Sequence, residues 1–239
     1  MGEVMPTVLI TGANRGIGLE FAQQYAADGW SIIAFCRDPV GAHDLNAVAA
    51  KSYGRVTVDA LDVADFAAID AAAVKYADRA VDVLINNAGI IGPVRGDIAK
   101  QSFGTMDYDT WDRVFRTNTQ APFKVTEAFF DNIMKGDQKK VGIISSTVGS
   151  NVEMQAPIFA YSSAKAGATK TFTALASVLR DKGVTVMVFC PGHVKTDMGG
   201  EGAEVERADS IAGMRKLIEG WSLEDSGQFK RFNGETVAF

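Results

Sequence analysis

Short apolar runs, most of them rich in β-branched residues, alternate with helix-patterned stretches along the whole chain, and this alternation constrains the fold more than any other feature. Runs near 7–11, 31–36, 55–59, 81–86, 141–146 and 184–190 read as strands, with a short last one near 227–232. The stretches between them, near 16–28, 41–51, 65–79, 108–134, 157–182 and 208–219, read as helices. Such alternation predicts a parallel sheet with helices on both faces. Right-handed crossovers then favour strand order 3-2-1-4-5-6-7, a doubly wound Rossmann-like α/β domain. The 239 residues suit a single domain over 1–239, with no repeat or linker to divide it. Two long connections, near 90–107 and 199–207, are candidates for substrate loops.

The first strand runs straight into TGANRGIG, with Gly12, Gly16 and Gly18, and an amphipathic stretch follows that ends at Gly29. Strand, glycine turn and helix in that order let the backbone approach a pyrophosphate and offer it the N–H groups and positive end of a helix. The spacing is Gly-x-x-x-Gly-x-Gly rather than the Gly-x-Gly-x-x-Gly of the standard dinucleotide fingerprint, and an ordinary β–α turn would also use glycines. Three later strands end in small or polar residues: Asn86-Asn87-Ala88-Gly89, Ser145-Ser146 and Pro191-Gly192. Residues of that kind suit the crevice at the carboxyl ends of an open sheet, where ligands of α/β folds bind.

Tyr161 and Lys165 stand four residues apart on the predicted helix over 157–182. Positions i and i+4 share a helix face. An ammonium beside a phenol favours the phenolate, so the Tyr161 pKa is expected to fall. A Tyr so tuned can pass a proton to or from a carbonyl or alcohol oxygen. Pro157 is expected at the first turn of this helix.

TGANRGIG, the Asn-Asn-Ala-Gly segment, Asn118, the Ser before the Tyr, Tyr-x-x-x-Lys and Pro-Gly-x-Val-x-Thr occur in the order of the short-chain dehydrogenase/reductases, and the chain resembles that family from about Thr7 to Met198. The tail resembles bacterial carbonyl reductase-like and C-factor-like members. The resemblance implies a catalytic set of Asn118, Ser146, Tyr161 and Lys165. Tyr161 would donate the proton in reduction. Lys165 would lower the Tyr pKa and hold the nicotinamide ribose. Ser146 would hold the substrate oxygen, and Asn118 would link Lys165 to solvent through a water, with Pro122 shortly after it supporting a perturbed helix there. Ser146 lies 15 residues before Tyr161 where the family gap is about 13, so Ser145 is a rival. The resemblance also implies cofactor contacts from Gly12, Asn14, Arg15, Gly16, Ile17, Gly18, Arg37, Asp62, Val63, Asn87, Ala88, Gly89, Tyr161, Lys165, Pro191, Gly192, Val194 and Thr196.

Charge favours NADP(H) over NAD(H). The second strand ends at Arg37, and Arg15 lies in the glycine turn. A guanidinium matches a 2′-phosphate in bidentate fashion. The alternative has Asp38 holding the ribose 2′-OH. Candidate pocket residues Ile90, Ile91, Val94, Phe103, Val152, Met154, Phe159, His193 and Met198 are mostly apolar, which favours an apolar or aromatic ketone, aldehyde or dione over a sugar. Arg95 is the one candidate for clamping a carboxylate. Two other classes stand beside a reductase: a regulatory protein that binds cofactor without chemistry, and an isomerase, epimerase or dehydratase on the same fold. The family resemblance further implies a homodimer or homotetramer paired through the two long helices, where Trp111, Phe115, Phe129 and Phe130 would either face outward into the interface or pack against the sheet, and the two extra residues before Tyr161 leave room for a monomer.

A net charge of −5 argues against nucleic acid and anionic membranes. No apolar run approaches the ~20 residues of a membrane span, and no signal-peptide pattern opens the chain, which points to the cytoplasm. Cys36 and Cys190 end the second and sixth strands, roughly 19 Å apart at ~4.8 Å per strand, so both are expected as free thiols. With His43 and His193 far apart in sequence, no metal site is expected.

Overall fold

A computed structural model describes residues 5–92, 101–153 and 157–239. Seven strands form one parallel sheet: β1 (Thr7–Thr11), β2 (Ser31–Cys36), β3 (Val56–Ala60), β4 (Val83–Asn86), β5 (Lys140–Ile144), β6 (Thr185–Cys190) and β7 (Phe229–Arg231). Their order is β3-β2-β1-β4-β5-β6-β7, as the alternation predicted. β1, β2, β4 and β6 are buried along nearly their whole length because both faces are covered, whereas the outer strands β3 and β7 carry Asp59, Lys230 and Arg231. Leu9, Ile33, Leu84, Val141 and Val186 enter one core layer, and their neighbours Val8, Ile32, Val83 and Met187 enter the other. The first layer lies under α3 (Phe66–Lys75), α5 (Ala121–Ala128), α6 (Phe130–Lys135) and α7 (Phe159–Leu179), while α4 (Tyr108–Phe115) packs through Val114 against Ala160 and Ala164 of α7. The second lies under α1 (Gly16–Ala27), α2 (His43–Ala50) and α8 (Arg207–Gly220).

The strand order reverses between β1 and β4, so the loops after these strands open a crevice at the carboxyl end of the sheet. The opposite end is closed by Asp82, which is 7% exposed. Its carboxylate accepts from the backbone N–H of Thr7 at 2.7 Å, Asp137 at 2.9 Å and Gln138 at 3.3 Å.

The helix expected over 108–134, perturbed near Pro122, is broken there. One turn of π-helix, Arg116–Gln120, separates α4 from α5, and Pro122 sits in the first turn of α5. Of the two placements open to Phe129, the structure takes the inward one: it is fully buried against the sheet. It falls between α5 and α6, where the change in helix path turns its ring inward. Pro157 lies before α7 rather than in its first turn, with Ile158 between them. Cys36 and Cys190 are both free, with three strands between the strands that carry them. Among the described residues no helix is long and apolar enough to cross a membrane.

Candidate active site

The turn after β1 is built for close approach. Gly12 has φ +67°, and a Cβ there would lie 2.9 Å from the Ala88 Cα. At Gly18 a Cβ would lie 2.2 Å from the Gly12 carbonyl oxygen and 2.5 Å from Asn87 Nδ2. The end of β4 is laced onto this turn. Asn87 Nδ2 donates to the carbonyls of Thr11 and Gly12, both at 3.0 Å. Thr11 Oγ1 accepts from the N–H of Asn87 and of Ala88, both at 3.1 Å. Sequence reasoning passed over Thr11, whose signal is a hydroxyl at the last position of the strand. No side chain caps α1, and its first turn carries no acid. A tight backbone cradle ahead of an uncapped helix N-terminus fits an anionic pyrophosphate. Asn14 and Ile17 lie in or beside this turn, both half-buried.

At the end of β2, Arg37 is exposed, while Asp38 folds back to accept from the Gly41 N–H at 3.0 Å. Arg15 pairs with Asp197 at 3.0 Å, both of them well exposed. Such a surface pair is worth little. Asp62 is exposed and accepts from the Ala64 N–H at 2.9 Å. Val63 is buried in the core layer beneath it.

The loop after β5 separates the two serines. Ser145 is 2% exposed; its Oγ donates to the Lys165 carbonyl at 3.2 Å and shares a 2.6 Å bond with Thr169 Oγ1. Ser146 is half-buried, and its Oγ accepts from the Val148 N–H at 3.3 Å. Gly149 lies against α7, where a Cβ would come within 2.6 Å of the Ala166 nitrogen. That approach brings the Ser146 loop against the helix that carries Tyr161 and Lys165.

Lys165 is 5% exposed and donates from Nζ to the Ile144 carbonyl at 2.7 Å. Its Nζ lies 5.6 Å from the centre of the Tyr161 ring. Burial lowers the Lys165 pKa to about 8. The Tyr161 hydroxyl goes the opposite way from the expectation: burial, reinforced by the nearby Cys190 thiol, pushes its pKa up. The i,i+4 spacing places the two groups together, but the ammonium is directed at a backbone carbonyl and the phenol is desolvated. Asn118, in the π turn and 1% exposed, spans the Ile90 peptide groups. Its Oδ1 accepts from the Ile90 N–H at 2.8 Å and its Nδ2 donates to the Ile90 carbonyl at 2.7 Å. Gly89 lies between Asn118 and Lys165: a Cβ there would be 3.1 Å from Asn118 Oδ1 and 3.7 Å from Lys165 Nζ.

After β6, Pro191 is fixed by the Ser210 hydroxyl at 2.7 Å, and Gly192 takes φ +82°. Val194 is buried and bridged to Val205. Thr196 Cγ2 would be 3.4 Å from a Cβ on Gly16, so this loop reaches the glycine turn. His193 Nε2 bonds to the Gly199 carbonyl at 2.8 Å. The candidate pocket residues come from the loops after β4, β5 and β6, three adjacent strands. Phe103, Val152, Phe159 and Met198 are exposed and Ile90 and Ile91 half-buried. Val94, Arg95 and Met154 lie outside the described residues. Among the described residues no group of three His, Cys, Asp or Glu side chains could hold a metal ion.

Residues 6–206 match the sequence profile of the short chain dehydrogenases. The chain is 34% identical to the C-signal protein of Myxococcus xanthus over 158 residues, covering 66% of this chain and 92% of that protein. It is 31% identical to the 3-oxoacyl-[acyl-carrier-protein] reductase FabG of Escherichia coli over 243 residues, 96% of this chain and 93% of that one. Among solved structures, the NADPH-bound carbonyl reductase from chicken fatty liver superposes with a TM-score of 0.87 at 31% identity, over 98% of this chain and 99% of that one.

Proposed function

The chain belongs to the short-chain dehydrogenase/reductase family, and within that family we propose that it reduces a ketone, aldehyde or dione to the alcohol with NADPH. One observation carries the reading: Lys165 is buried with a backbone carbonyl as its bonding partner, one turn from Tyr161. A buried ammonium without a carboxylate partner is expensive to keep in a fold, and such perturbed groups cluster at active sites.

A dinucleotide held by the glycine turn would supply the hydride for the carbonyl carbon. Tyr161 donates its phenolic proton to the substrate oxygen. The phenol is protonated at neutral pH and so has a proton to give. Ser146 hydrogen-bonds the same oxygen, since Ser145 is engaged by Lys165 and Thr169 in the interior. The Lys165 ammonium, 5.6 Å from the centre of the Tyr161 ring, offsets part of the cost that burial places on the phenolate left on Tyr161. Asn118 holds Ile90 and so the wall beside Gly89. The glycine turn and the α1 N-terminus receive the pyrophosphate, and Arg15 and Arg37 receive the 2′-phosphate. The apolar candidates around the crevice favour an apolar or aromatic substrate. Pairing between copies would use the face that carries Trp111, Phe115 and Phe123, all half-buried.

The test is NADPH and NADH oxidation against aldehydes, ketones and diones, with Tyr161→Phe beside the parent. Turnover with NADPH is expected, falling roughly 10²–10⁴-fold in the variant. Undiminished turnover in Tyr161→Phe sinks the mechanism. Tight NADPH binding by both proteins with no turnover favours a regulatory role, for which the likeness to C-signal gives the case.

A further inference from the structure

Gln101 is 1% exposed, yet it sits in a loop 60 residues from the partner it serves. The helix α7 opens without a side-chain cap from its own sequence, because Ile158 has nothing to offer. The first N–H groups of a helix have no intrahelical acceptor. Tyr161 is the third residue of α7, and its backbone N–H donates to Gln101 Oε1 at 3.2 Å. The other end of the same amide is also engaged: Nε2 donates to the Ile91 carbonyl at 2.6 Å. Gly92 makes room for it, with φ +141° and no side chain where a Cβ would fall 2.0 Å from Nε2. Ile90 is in turn held on both its peptide groups by Asn118. Residues 89–92 are therefore fixed at one end by Asn118 and at the other by Gln101, and Gln101 ties them to the turn of α7 that bears Tyr161.

We propose that Gln101 is a positioning residue for Tyr161, capping α7 in place of a local cap and locking the Ile91–Gly92 wall to the proton donor. This rests on the reading of Tyr161 as that donor. The amide geometry allows both tasks at once because a carboxamide has an acceptor on one atom and donors on the other. An apolar side chain can do neither, and a carboxylate can only accept.

The experiment compares steady-state kinetics, NADPH binding by fluorescence and thermal melting for Gln101→Leu, Gln101→Glu, Gly92→Ala and Tyr161→Phe. In Gln101→Leu, kcat is expected to fall roughly ten- to hundredfold, since small misplacements of a catalytic group cost that much. NADPH affinity is expected to stay within about twofold, because the pyrophosphate cradle lies on the other side of β4. Gly92→Ala is expected to lower kcat in the same way by displacing the amide. Gln101→Glu supplies the readout that a merely structural role does not move. Its protonated acid accepts from Tyr161 and donates to Ile91 as the amide does; ionised, it loses the donor. The ratio of its kcat/KM to the parent's is expected to fall as pH rises from 5.5 to 8, burial holding the acid form into that range. Should Gln101→Leu fail to fold, this ratio decides the matter alone. A Gln101→Leu enzyme with parental kcat, or a Gln101→Glu ratio that ignores pH, overturns the proposal. If Tyr161→Phe is inactive while either of those results is seen, only this proposal falls; if Tyr161→Phe is fully active, the proposed mechanism falls with it.

Discussion

Lys165 donates to the Ile144 carbonyl from a position that is 5% exposed, and its ammonium form is therefore the costly one at neutral pH. The direction of the resulting pH dependence is fixed by linkage. The folded-state pKa is lowered to about 8 from 10.5. Between those values the unfolded chain binds more protons than the folded one, so stability rises with pH across that window. Below about 8 both states are charged and the burial cost is present in full. Lys165→Met removes the titration and keeps the bulk. The stability of the parent relative to Lys165→Met is thus expected to move in the parent's favour by up to roughly 3 kcal/mol between pH 8 and 10.5. Urea melts of both proteins at pH 7, 8.5 and 10 check this; an unchanging gap would mean that Lys165 is hydrated in the folded protein. The Tyr–Lys adjacency itself was legible, because helical periodicity depends on sequence spacing alone. The direction of the Tyr161 shift was not, because it depends on where the ammonium points and on how far the phenol is buried. Ser145 and Ser146 were equally unresolvable in sequence: which of two neighbouring hydroxyls turns inward is decided by Thr169, 24 residues away.

Elements with a local signal were read close to their true bounds, and the departures have identifiable causes. The strand–glycine turn–helix unit was legible because each part obeys local rules. The prediction at this scale concerns Gly18. A methyl group there would meet the Gly12 carbonyl oxygen at 2.2 Å, and backbone, unlike a flexible side-chain end, cannot swing aside. Gly18→Ala is expected to destabilise the protein by about 1–3 kcal/mol through overpacking and to weaken NADPH binding at least about tenfold. Gly220→Ala, where a Cβ meets nothing within 4 Å, serves as the control and should leave both within experimental error. Denaturant melts and a fluorescence titration give the two numbers; normal affinity in Gly18→Ala would show that the turn tolerates displacement. The π turn at Arg116–Gln120 was half legible. Pro122 signalled a perturbed helix, but the sequence carries no sign of an inserted residue in the ladder. Its seating depends on α7, where Thr119 Oγ1 donates to the Ala164 carbonyl at 2.7 Å. The tie from Gln101 to Tyr161 left no local trace at all, since it joins two segments through one amide.

Across the whole molecule the two ends of the sheet have different work. The strand order was legible from alternation and handedness alone, and it gathers the turns after β1, β2, β3, β4, β5 and β6, which carry most of the candidate site residues, at the carboxyl edge of the sheet. The amino ends carry no candidate site residue; there Asp82 gathers the N–H groups of Thr7, Asp137 and Gln138, joining the start of β1 to the approach to β5. Removing its carboxylate would leave three backbone donors without an acceptor, two of them partly and one fully covered. Asp82→Ala is therefore expected to cost roughly 3–5 kcal/mol, a fall in Tm of about 10 °C for a chain of this size. Below that transition the candidate active site is expected to stay formed, because Asp82 and its three partners lie at the opposite end of the strands from it. KM for NADPH and kcat at 25 °C should accordingly stay within about twofold of the parent, with the loss confined to calorimetry. A variant that melts as the parent does would remove Asp82 from the stability of the sheet. One that keeps its Tm but loses kcat would instead tie the amino ends of the strands to catalysis, against the division of labour that the topology implies.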